Sequence, residues 1–160
     1  YIRATRPEFK VYGACYPEGH PQAPSFQADI DNLKRKVDAG ATHLISQLFY
    51  DNDDFYRFLD AARAAGIDVP IEAGIMPVTN EKSVRRMAAM CSSRVPESLG
   101  MILDKWGNDS YVLTDAGINY ASAQISELLA HGVDGIHLYS MNKPAVTRRI
   151  WRNVEALFRD

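Results

Sequence analysis

The segment FQADIDNLKRKVDAG, residues 26–40, sets a carboxylate (Asp29), an amide (Asn32) and an ammonium (Lys36) close together. At about 100° per residue in a helix, Phe26, Ile30, Leu33 and Val37 form an apolar stripe. Asp29, Asn32 and Lys36 then form a narrow polar stripe along its edge. Such a stripe can be a solvated flank, or a row of donors and acceptors lining a ligand over the start of the helix. In the second case Tyr16 and His20, from the preceding loop YPEGHP, join the same site, although a lone histidine in such a loop is more often a surface or capping residue. Gln47 poses a similar choice. It is expected in the middle of an apolar strand, HLISQLFY, on the face of Ile45 and Phe49. A buried amide must find partners or cost roughly 1–3 kcal/mol. It is therefore held by neighbouring backbone or directed at a ligand. In GIHLYSMNKP, His137, Tyr139 and Met141 alternate on one face, and Lys143 follows at the exit. Lys143 could pair with a ligand carboxylate, or be a solvated charge at the first turn of the last helix.

Several chemistries find no pattern here. There is no H-x-H or H-E-x-x-H spacing for a metal, no nucleophile elbow, and no G-x-G-x-x-G after the first strand, where the turn reads CYPEGHP. Asp51, Asn52 and Asp53 read as helix capping. A formal charge of −2 gives no basic footprint for nucleic acid. No run approaches the ~18 apolar residues of a membrane span, and no signal-peptide pattern opens the chain. Cys15 and Cys91 lie far apart in apolar contexts and are expected as buried thiols, which suits a reducing cytoplasm. The chain starts at Tyr1, so it is expected to be processed or to be part of something longer.

These residues need a scaffold, and 160 residues with 46% apolar content support one domain with a real core. A helical pattern, a glycine and a short apolar run recur in VDAGATHLISQLFY, RAAGIDVPIEAGIMP and LAHGVDGIHLYSMN. Gly40, Gly66 and Gly132 stand where a helix C-terminus favours positive φ. The runs after them are apolar on both faces, as in buried parallel strands. The predicted order is β(9–15), α(25–39), β(43–49), α(53–65), β(69–75), α(80–91), a helical insertion (96–130), β(134–140) and α(144–158). Strict βα alternation means parallel strands with right-handed crossovers. Either four strands form a doubly wound sheet, or they are half of a (β/α)8 barrel, which normally takes ~250 residues. The strand ends CYPEGH, QLFYDND, GIMPVTN and LYSMNKP are rich in polar, proline and aromatic residues, which favours the half barrel.

Together YPEGHP…SFQADIDNLKRKVDAGA, ISQLFYDND, GIMPV and LYSMNKP resemble the methylenetetrahydrofolate reductase family, in register from about Val11 to Val154. The resemblance implies the C-terminal half of a TIM barrel that holds FAD at the C-terminal ends of its strands. NADH or NADPH is the implied reductant. The implied reaction converts 5,10-methylenetetrahydrofolate to 5-methyltetrahydrofolate for methionine synthesis. By position, Tyr16, His20, Ala23, Asp29, Asn32, Arg35 and Lys36 match FAD-contacting residues. Gln47 matches a glutamine that contacts the folate pterin and, alternately, the nicotinamide cofactor. Lys143 matches a substrate-contacting position usually held by Arg, so it keeps the charge but loses the bidentate fork. Ser83 and Met87 stand where some members have Gln and Phe. The general acid of the family, a Glu near the end of the first barrel strand, has no counterpart in this chain, and Glu18 does not take its place.

Two readings follow. One is the flavin- and folate-binding half of a cytoplasmic reductase, expected as a homo-oligomer, with the first four units absent from residues 1–160. The other is a non-catalytic half barrel that binds flavin or associates with itself through two open parallel edges.

Overall fold

The computed structural model describes residues 1–159. Four parallel strands, β1 (Tyr12–Cys15), β2 (His43–Ser46), β3 (Ile71–Ile75) and β4 (Gly135–Leu138), form one sheet in the order β1-β2-β3-β4. The helices are α1 (Ile2–Thr5), α2 (Phe26–Asp38), α3 (Asn52–Ala64), α4 (Glu81–Cys91), α5 (Glu97–Trp106), α6 (Ser110–Ala130) and α7 (Pro144–Val154), with a 3-10 turn at Glu155–Phe158. The strand order decides between the two architectures. A doubly wound sheet reverses its stepping at a switch point and so has helices on both faces. Right-handed crossovers that always step the same way leave the helices on one face. The units of this chain form a half barrel.

Local sequence explains most of the boundaries. Ser25, Asp51 and Asn80 cap α2, α3 and α4 by accepting from Ala28 N, Asp53 N and Ser83 N at 3.1, 3.1 and 2.9 Å. Each such bond meets one of the orphan donors of a helix start. Gly40, Gly66 and Gly132 follow α2, α3 and α6 with φ of +114°, +73° and +75°, as their positions predicted. The helical stretch at 96–130 is two helices, α5 and α6, and the last helix gives way to the 3-10 turn at Glu155. The short α1 had no signal in the sequence.

The strands are shorter than their apolar runs, and β2 shows why. Beyond Ile45 its backbone partners are intercepted: Gly74 N donates to Ser46 Oγ at 2.8 Å and Tyr139 Oη donates to Ser46 O at 2.9 Å. A Cβ on Gly74 would stand 2.2 Å from Ser46 O and 2.8 Å from the Tyr139 ring, so only glycine fits this crossing. The ladder ends at Ser46, and Gln47 lies just past the strand rather than in its middle. Leu48, Phe49 and Tyr50 are fully buried all the same, because helices cover them.

Leu44, Ile71, Ala73 and Ile75 meet α2, α3, α6 and α7 in the main core, with Phe55 and Phe58 at its centre. A second core joins Leu48, Tyr50, Met76 and Val78 to α4, α5 and the start of α6. The opposite face of the sheet, which a closed barrel turns inward, carries Tyr12 stacked on His43 at 4.7 Å. It also carries Glu72, 3.7 Å from His137 Nδ1. Cys15 is buried; Cys91, contrary to expectation, is only partly so, because α4 exposes that edge to solvent. Among the described residues no helix is long and apolar enough to cross a membrane.

Candidate functional site at the strand C-termini

Polar side chains converge where the strands end. In the loop after β1, the His20 ring meets the Tyr16 ring edge-on, with centroids 4.6 Å apart. His20 O accepts from Ala23 N at 2.9 Å, and His20 Nδ1 accepts from Gln22 N at 3.1 Å. Asp29, on the first turn of α2, accepts from His20 N at 3.0 Å through Oδ2. Tyr16, His20, Ala23 and Asp29 are thus one cluster, fixed by the helix that the sequence marked. Burial first, and then the Asp29 charge, push the Tyr16 phenol above its ordinary range.

The rest of the polar stripe divides. Lys36 reaches back over β1 and donates to Ala14 O at 2.5 Å. This occupies one of its three donors and caps a carbonyl on the open edge of the sheet. Asn32 and Arg35 face each other on the exposed side, with Arg35 donating to Asn32 Oδ1. Lys36 therefore sits with the cluster's strand, and Asn32 with Arg35 stands one turn outside it.

Gln47 adjoins this cluster through its backbone: Gln47 N donates to Cys15 O at 2.7 Å. Its side-chain Oε1 accepts from Leu48 N at 2.9 Å. Among the described residues only the acceptor half of the amide is used, so the two readings of Gln47 each describe one end of it. Beneath it, burial pushes the Cys15 thiol up to about 12, which Lys36 partly opposes.

A second site lies at the ends of β3 and β4. A cavity of about 200 Å3 is lined by Ser83, Met87, Met141, Lys143, Thr79 and Arg86, among others. Lys143 donates to Thr79 Oγ1 at 2.6 Å, while Met141 and Asn142 take φ of +47° and +56°. Positive φ in two successive non-glycine residues is a strained turn, and it delivers Lys143 to the cavity. The structure thus brings Ser83, Met87 and Lys143 together and sets Gln47 with the first cluster. Tyr139 lies between the two, its hydroxyl on Ser46 O.

Sequence reasoning missed Arg86, on the exposed face of α4, and Arg94, whose contacts cross long stretches of chain. Arg86 could have been found from its place one turn after Lys82 and beside Met87. Arg94 had no local signal. Among the described residues no three His, Cys, Asp or Glu side chains converge as metal ligands do.

The profile of the family described as methylenetetrahydrofolate reductase matches residues 1–155. The 5,10-methylenetetrahydrofolate reductase of Escherichia coli is 40% identical over 143 residues, covering 89% of this chain and 48% of that protein. Methylenetetrahydrofolate reductase (NADH) 1 of Arabidopsis thaliana is 38% identical over 143 residues, covering 84% of this chain and 24% of that one. The chain therefore spans about half the length of the bacterial relatives it matches, and less of the plant proteins. Among solved structures, an uncharacterized protein from Clostridium thermocellum, described as binding two copies of 5-methyl-5,6,7,8-tetrahydrofolic acid, superimposes with a TM-score of 0.67. It is 16% identical, over 98% of this chain and 57% of that one, and the likeness supports the fold. On the family profile and the bacterial identity together, the chain belongs to the methylenetetrahydrofolate reductase family.

Proposed function

We propose that this chain is the C-terminal half of the barrel of a cytoplasmic, FAD-dependent methylenetetrahydrofolate reductase. On this reading the protein uses NADH or NADPH to reduce 5,10-methylenetetrahydrofolate to 5-methyltetrahydrofolate, for methionine synthesis. The carrying observation is the placement of Gln47: its backbone is bonded beside the loop of Tyr16 and His20, and its amide nitrogen is not used by the described residues. A pterin edge or a nicotinamide carboxamide needs such a mixed donor and acceptor.

The residues present fit a flavin dinucleotide. Asp29 holds the loop through one oxygen and keeps lone pairs for ligand hydroxyls. Asn32 serves the same kind of partner from the next turn. Lys36 keeps two N–H donors, and with Arg35 it supplies positive charge for phosphates. Tyr16, His20 and Ala23 form the wall of that subsite. FAD, when bound, supplies the two-electron carrier between the nicotinamide and the folate. In the second cavity Lys143 would take a folate carboxylate, and Ser83 with Met87 its flat body; their shared lining of one cavity supports this reading. On this reading the protein is a homo-oligomer; in the closed barrel the β1 and β4 edges pair with the first four units, so only residues 1–160 alone would associate through them.

Gln47→Glu in the full-length protein tests this reading. It keeps the size but replaces the donors with an acceptor-only carboxylate. The folate half-reaction is expected to fall strongly while bound flavin and melting temperature stay near normal. A destabilised, flavin-poor variant would show that Gln47 is a structural amide, since an unpaired charge in the barrel wall costs stability.

A further inference from the structure

The connector between α4 and α5, residues 92–96, has no part in the sites described above, yet it touches the loops that form them. Ser92 ends α4 in the left-handed region, with φ of 55°, and the turn brings Ser93 N onto Ala88 O at 2.8 Å. Ser93 Oγ donates to Leu48 O at 2.8 Å, immediately after Gln47. Arg94 N donates to Glu18 Oε1 at 2.6 Å, in the middle of the Tyr16–His20 loop. The Arg94 guanidinium donates to Asp51 Oδ2 at 2.6 Å and Asp54 Oδ2 at 3.1 Å, at the start of α3.

The Tyr16–His20 loop needs such an anchor. It contains Pro17 and Gly19, the latter with φ of +88°. Its other side-chain anchor is Asp29 on His20 N. Asp29 ties the loop to α2 on one side, and Glu18 ties it to the connector on the other. Glu18 is half-buried, and burial pushes its carboxyl up although the Arg94 N–H draws it down. Asp54 is only 4% exposed, so the Arg94 side chain is fixed to a buried group. Asp54 also pairs with Arg57 at 2.9 Å. Loss of the Arg94 side chain therefore leaves the buried carboxylate with a cation, and it releases the connector rather than the core.

We propose that Arg94 is a positioning residue: by clamping the connector to Asp51 and Asp54, it holds Glu18, and with it the Tyr16–His20 loop, in register with Gln47. This rests on the reading that the loop holds FAD.

The test uses Arg94→Ala, Arg94→Lys and Glu18→Ala in the full-length protein. FAD dissociation constant, urea midpoint and amide hydrogen exchange of residues 16–20 without FAD are measured at one temperature. Arg94→Ala is expected to raise the dissociation constant about tenfold and speed exchange in the loop, with a small change in midpoint. Arg94→Lys is expected to recover part of both. Glu18→Ala leaves the arginine pairs intact and removes only the loop's anchor, so it should match Arg94→Ala even if that variant folds poorly. Unchanged affinity and exchange in Glu18→Ala, or an affinity loss accounted for by unfolded protein, would overturn the clamp. Wild-type protein that binds no FAD would instead overturn the flavin reading, and the exchange rates would still judge the clamp.

Discussion

The two ends of the sheet treat their polar groups differently. At the N-terminal ends of the strands, groups pair within the chain. Asp134 Oδ2 accepts from Ile71 N at 2.8 Å and from Arg63 at 2.6 Å. Arg63 also donates to Ile67 O and Val69 O, and Thr42 exchanges bonds with the Val11 backbone. At the C-terminal ends, side chains hold one partner and keep capacity for more: Lys143 and the Gln47 amide. Strain collects there too, at Met141 and Asn142. Unused donors and strained turns lower stability, so the closed end offsets what the open end costs. This division is the general rule for barrels of this kind.

That contrast can be broken by experiment. The largest expected effect is complete: on the proposed reading residues 1–160 alone should show no reductase turnover, because the general acid that the family resemblance implies would come from the first barrel strand. Steady turnover by this chain as a monomer would mean that the open end already contains a proton donor, with Glu18, Asp51 and Asp104 the first to examine. Next, Asp29→Ala and Lys36→Ala in the full-length protein should each weaken FAD binding by roughly ten- to hundredfold, the range of ~1.5–3 kcal/mol for a lost charge-assisted bond. Flavin retention equal to wild type in both, on gel filtration, would return α2 to a solvated flank.

At the closed end, Asp134→Ala should lower unfolding stability by about 1–3 kcal/mol, since Ile71 N and Arg63 lose their acceptor. Flavin affinity should not change. A urea titration beside a flavin titration reads both, and an affinity loss without a stability loss would erase the distinction between the ends. The smallest effect concerns Cys15, whose thiol rises from 9.0 to about 12 through burial. The folded state holds the proton more tightly, so its stability from this group is flat below pH 9.0 and falls as pH rises toward 12. Alkylation of Cys15 should therefore be far slower than that of Cys91 at pH 8. Equal rates by peptide mapping would contradict the burial.

Apart from α1, the break between α5 and α6 and the end of α7, the helices and their order were legible because amphipathic stripes, caps and glycines are local signals. The α2 stripe was placed to within a residue at each end. Strand length was not legible. The apolar run through Leu48, Phe49 and Tyr50 continues past β2 because helices bury it, while the ladder stops where Ser46 and Tyr139 take its backbone. The Tyr16, His20 and Asp29 cluster could be anticipated because one loop and one helix turn build it. The Lys143 cavity joins residues from Thr79 to Lys143, and Arg94 reaches back to Glu18 across 76 residues. No periodicity marks such a pairing; only the closing of the sheet creates it.

The sequential strand order also bears on how the chain comes apart. Each strand pairs only with units adjacent in sequence, so the sheet resembles a short repeat array in which stability passes between neighbours. Residues 1–160 alone form such an array, which frays from its ends. Under a pulling force applied at the two termini, the β1 and β4 units should detach as separate steps before the β2–β3 pair, giving a stepwise rather than a single rupture.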